Sequence, residues 1–120
     1  MMQLIPGLPD NTVGVVATGT VTAEDYEAVL MPAVAAVVQA HGRVRLLYQV
    51  APGFTGFTPG AMWDDARLGL ANFTAWEKAA VVTDVEWIRG SVGFFRFLMP
   101  CPVQVFGNDA LHEAKAWIAQ

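Results

Sequence analysis

Few groups in this chain could do acid–base or nucleophilic work: two histidines, one cysteine and a scatter of carboxylates. His41 falls at a predicted helix end and His112 on a polar helix face, so both are expected to be solvated. Cys101 has no basic neighbour in sequence to lower its pKa and reads as a small apolar strand residue. Asp64 and Asp65 are placed in the first turn of a predicted helix, where the helix dipole favours acids; contact with a partner is the other reading. The histidines, the cysteine and the acids show no metal-ligand spacing. Gly53, Gly56 and Gly60 lie three and four apart with no lysine after them, which is not a phosphate loop. The residue types therefore predict no catalytic residues, no metal and no cofactor.

The aromatic side chains are the less ordinary set: Phe54, Phe57, Trp63, Phe73, Trp76 and Trp87. Aromatic stripes at helical spacing usually form core. Several of these, however, fall on or beside loops, and a tryptophan offers apolar area together with an N–H that orients a polar head. Phe57, Trp63, Asp84 and Trp87 are expected to line a ligand-binding crevice, being mostly apolar with one placed polar group. Asp84 is also a candidate helix cap, and a wholly structural role for all four is the competing reading.

Strands and helices must hold these residues. Residues 3–6 read as a short edge strand, and the β-branched run 13–21 as a second strand. Thr22 to Asp25 form a capping-box pattern, after which Tyr26, Leu30, Ala33, Val37 and Ala40 recur at helical spacing until Gly42. Pro32 lies inside that helix and is expected to bend it. The run 44–50 is apolar enough for a central strand, and a Gly- and Pro-rich loop follows over residues 51–58. Thr58 and Pro59 suit the N-cap and first position of a second helix with the apolar stripe Met62, Ala66, Leu70 and Phe73. Residues 78–83 form the next strand. A helix over about 85–98 follows it, apolar nearly all round. A strand over 103–106 comes last, and then a helix capped by Asn108 or Asp109 with Leu111, Ala114, Trp117 and Ile118 facing the sheet. The order is β-β-α-β-α-β-α-β-α, with a largely parallel core.

Three stretches carry a family resemblance: residues 56–65 (GFTPGAMWDD), residues 81–84 with Trp87, and the ending at 103–107 with 113–117. On these the chain resembles the SpoIIAA-like family of small bacterial STAS/SEC14-type domains. The resemblance implies an α/β, STAS-like fold: a mixed five-stranded sheet with four helices, strand order 1-3-2-4-5 and strand 1 antiparallel. That order would reverse between strands 2 and 4. It would bring Gly19 and Thr20 to Thr83 and Asp84, beside the loop 51–58, which is where ligands bind in open parallel sheets. Anti-sigma-factor antagonists among such relatives are phosphorylated at the start of helix 2, which makes Thr58 a candidate phosphorylation site. SEC14-type domains bind lipids in an apolar cavity.

Composition bounds the rest. A chain of 120 residues is expected to be a single domain. The net charge of −4 without a basic cluster speaks against nucleic acid. One cysteine and no signal-like N-terminus fit a cytoplasmic protein, and no apolar run is long enough for a membrane span. Apolar residues make up 54% and charged residues 15%, the latter against about 25% in average chains. Such a surface calls for a cover, and a homodimer through the third helix is expected. The reading is a non-enzymatic regulatory or binding module with an apolar crevice for a small hydrophobic ligand or a regulatory protein. The alternatives are an antagonist switched by phosphorylation and an enzyme of unrecognised chemistry.

Overall fold

Thr22 opens the first helix as expected: its hydroxyl accepts from the Asp25 amide and the Asp25 carboxylate accepts from the Thr22 amide. The computed structural model describes residues 1–120, the side chain of Phe95 excepted. Its elements are β1 (Met2–Leu4), β2 (Thr12–Val21), α1 (residues 23–41), β3 (Val44–Phe57), α2 (Pro59–Ala71), β4 (Trp76–Val82), α3 (Glu86–Phe95), β5 (Val103–Phe106) and α4 (Leu111–Ala119). This is the mixed five-stranded sheet with four helices, in the order β-β-α-β-α-β-α-β-α.

The strand order is a correction. The sheet runs β1-β2-β3-β4-β5, not 1-3-2-4-5, with β1 antiparallel to β2 and every later pair parallel. Residues 5–11 make a short return, tied by the Ile5 amide to the Gly14 carbonyl, so β1 takes the near edge of β2. Each right-handed crossover then adds the next strand on the far side. The order never reverses, so the crevice expected between strands 2 and 4 does not exist, and β3 separates them.

Steps in one direction also place successive crossover helices on one face. Tyr26, Leu30 and Val34 of α1, Ala61 and Leu68 of α2 and Ile88 of α3 share a buried cluster with Val15, Val21, Tyr48 and Val50. Helix α4 closes the other face, where Ala114 and Ile118 pack on Leu47, Ala80 and Val82. Ile5 and Leu8 extend that layer across β2; a Cβ at Gly14 would lie 2.3 Å from Leu8 Cδ1 and 3.1 Å from Ile5 Cβ, so a larger residue there would have to move Leu8 aside.

Several boundaries moved. Residues 51–57 are strand, not loop, because the long β2 offers them a ladder: Gly19 pairs with Phe54, Thr20 with Gly56 and Val21 with Phe57, with register shifts absorbing the irregular sequence. Gly53 at φ 96° and Gly56 at φ 144° supply conformations that other residues rarely adopt. Through Pro32, expected to bend it, α1 runs on to His41. A π-turn over Tyr26–Leu30 precedes the proline, a common accommodation of an interrupted backbone ladder. Helix α4 has no side-chain cap; a 3-10 turn over Asn108–Ala110 leads into it instead. Helix α3 is likewise uncapped and passes into a 3-10 turn at Arg96–Leu98. Among the described residues no helix is long and apolar enough to cross a membrane, and no group of three or more His, Cys, Asp or Glu could hold a metal ion.

Candidate functional site

Helix α2 carries its apolar stripe away from the sheet. Ala61, Asp64 and Leu68 are its buried positions, whereas Met62, Leu70 and Phe73 stay exposed. The stripe instead forms one wall of a groove of about 740 Å³. Helix α3 supplies the other wall through Trp87, Ile88, Ser91 and Val92. Alternate residues of the strands make the floor: Leu46, Tyr48 and Val50 of β3, Ala79 and Val81 of β4, and Val103 of β5. The groove exists because α3 covers its part of the sheet loosely, with Ile88 the one buried residue among those described in it.

The polar groups of this apolar groove are concentrated at Tyr26, Tyr48 and Asp65. Both tyrosines are buried, and the Tyr26 and Tyr48 hydroxyls lie 3.0 Å apart. Tyr26 donates to Asp65 Oδ1 at 2.9 Å. A phenol has one proton, so with Tyr26 committed to the carboxylate, Tyr48 donates to Tyr26. Burial pushes the pKa of Tyr26 above the usual range, with the nearby Asp65 adding to it, and burial does the same for Tyr48. Both are neutral phenols at any physiological pH. Asp65 is exposed along the groove; desolvation of its carboxyl by the surrounding protein raises its pKa, against the hydrogen bond from Tyr26. Its second oxygen has no protein partner among the described residues, and it forms no ion pair with any of them.

The structure divides the residues expected to form the crevice. Phe57 and Trp87 line the groove and meet edge to face, with ring centroids 6.0 Å apart. Phe54 lies behind Phe57 at 4.9 Å. Trp63 points outward, 66% exposed, and is not part of the groove wall. Asp84 is also elsewhere and caps nothing. Its carboxylate accepts from the Asn108 backbone and side-chain amides at 3.2 and 3.1 Å, joining the end of β4 to the turn before α4. The cap-like contact at α3 comes from Thr83, whose hydroxyl accepts from the Val85 amide. Thr58 caps α2, its hydroxyl accepting from the Ala61 amide at 3.1 Å.

Asp64 and Asp65 sit one turn later than expected, since no acid occupies the first turn of α2. Asp64 is buried, with Oδ1 accepting from Arg67 and Oδ2 unpartnered. Trp76 is buried too and donates its indole N–H to the Gly69 carbonyl at 3.2 Å. His41 and His112 are exposed, and burial pushes the Cys101 thiol up.

Sequence reasoning missed Tyr26 and Tyr48 as site residues. Each occupies an apolar position of its element, and they are the two tyrosines of the chain. A tyrosine in a buried stripe needs a partner for its hydroxyl, and that was the available signal. Its target, an acid 39 residues away, was not readable.

A model of the SpoIIAA-like family matches residues 12–119. The chain belongs to the SpoIIAA-like family. A crystal structure from Shewanella loihica PV-4, of a DUF3478-family protein with a SpoIIAA-like fold, aligns over 98% of this chain and 92% of that one. Its TM-score is 0.74 at 21% sequence identity, which shows a shared fold. No match was found among curated proteins. The sheet with one antiparallel edge strand and helices on both faces is thus the SpoIIAA-like architecture.

Proposed function

We propose that this SpoIIAA-like chain is a non-enzymatic binding module of STAS type whose groove takes a small apolar ligand. The observation that carries the reading is the groove itself, with Met62, Leu70, Phe73 and Trp87 exposed along it instead of buried. Small-molecule sites commonly span about 300–1,000 Å³, mostly apolar with a few placed polar groups, and this one has that size and make-up. Of the aromatic residues expected in the crevice, Phe57 and Trp87 contribute to it; Trp63 and Asp84 are left to other roles. The test is a fluorescence titration with medium-chain apolar ligands. Saturable quenching lost in Trp87→Phe and kept in Trp63→Phe supports the site, and no saturable response with any apolar ligand removes it.

The outer side of α3 favours a second, compatible proposal, a homodimer. Phe94 and Phe97 are 73% and 81% exposed. Covering them in a standard interface would remove about 800 Å² per partner. Sedimentation at micromolar concentration tests it, and a monomer there sinks it.

A further inference from the structure

Among the groups that line the groove, Asp65 combines three features. It is exposed to the groove, it has no cationic partner among the described residues, and one of its oxygens accepts no hydrogen bond from them. Resting on the groove as a ligand site, we infer that the occupant is an apolar amine whose ammonium head donates to Asp65 and whose chain lies along the groove. Charge and proton count decide between heads. Tyr26 spends its proton on Asp65, and Tyr48 spends its own on Tyr26, so this end of the groove accepts hydrogen bonds and has no free donor to give. An ammonium brings three donors and the missing positive charge, and a charge-assisted bond of this kind is roughly twice as strong as a neutral one. A carboxylate head would meet Asp65 as a like charge. An alcohol could donate but would leave the carboxylate uncompensated. Arg96, the basic residue lining the groove, is exposed and makes no ion pair with a described acid, so it is the site for the opposite reading, an anionic head at the rim.

Calorimetric titration of the full chain with octylamine, 1-octanol and octanoate separates the readings, since the three share one tail. Octylamine is expected to bind about tenfold more tightly than octanol, and octanoate most weakly. Asp65→Asn is expected to bring octylamine down to the affinity of octanol for the same variant, with circular dichroism showing that the fold persists. Octyltrimethylammonium, with the charge but no donor, is expected to bind severalfold more weakly than octylamine to the unaltered protein, a comparison that needs no variant. Equal binding of amine and alcohol overturns the inference and leaves the apolar groove standing. An amine preference that survives Asp65→Asn overturns it too, as general attraction to an acidic chain. Tightest binding by octanoate, lost in Arg96→Ala, moves the head group to the rim and overturns it. If none of the three binds, the groove reading itself falls.

Discussion

Helices α1 and α3 have the same task, carrying the chain from one parallel strand to the next, and they do it differently. Helix α1 starts with a reciprocal capping box, ends on the left-handed Gly42, and fully buries Tyr26, Leu30 and Val34. Helix α3 has no side-chain cap, contains Gly90 and Gly93, buries Ile88 alone among its described residues, and leaves Phe94 exposed. Both segments are rich in apolar residues. What separates them is where those residues point: α1 fills its half of the sheet face, while α3 stands beside a groove. Local stability is uneven by construction, and sites for ligands are commonly drawn from the less stable end.

The largest effect expected on this contrast is in α1. Leu30→Ala should cost about 2–5 kcal/mol, as a deletion at a fully buried position, whereas Phe97→Ser after α3 should change stability by no more than about 0.5 kcal/mol. Denaturant unfolding of both variants checks it, and comparable losses would erase the distinction between the two helices.

Filling the groove sharpens the comparison from the other side. Ala66 lies on its wall at an exposed position of α2, so Ala66→Trp is expected to weaken apolar ligand binding at least about tenfold while the melting curve barely moves. Unchanged affinity in a titration would place the ligand elsewhere.

Thr58→Ala removes the cap of α2, the helix shared by the packed half and the groove, and should cost about 1 kcal/mol. The same hydroxyl was the candidate for phosphorylation. If Thr58→Glu abolishes a partner complex without unfolding the protein, a phosphoswitch replaces the structural role.

The smallest effect is a pH dependence centred on Asp65. Its folded pKa lies above its ordinary value, so between those two values the folded state holds more protons than the unfolded one. Stability from this group is therefore present at low pH and lost as pH rises through that window. Glu77 is the opposite case: hydrogen bonds from Arg45 and Arg43 lower its pKa, and its contribution is lost as pH falls through the lowered value. Asp65→Asn should keep an acceptor for Tyr26 and gain modestly on the wild type as pH rises from the acid range to neutral. Thermal melts across that range check the sign, and a variant that gains on the wild type as the pH falls would contradict it.

Local chemistry determined a good part of this molecule from the sequence alone. The caps at Thr22 and Thr58, the stop at Gly42, the β-branched strands and the order of elements all rest on interactions among residues close in the chain, which is why they were legible. The apolar stripe of α2 was legible as a stripe, and the excess of apolar residues as exposed apolar surface. Long-range geometry decided the rest. The strand order depends on which edge of β2 the short β1 occupies, and residues 51–57 became strand because β2 was long enough to pair with them. Whether Met62 and Leu70 face sheet or groove depends on how far α3 stands from its neighbour. The meeting of Tyr26, Tyr48 and Asp65 joins a helix, a strand and a second helix, and no spacing in the sequence encodes it. Periodicity reports which residues share a face; only the packed chain determines what that face looks onto.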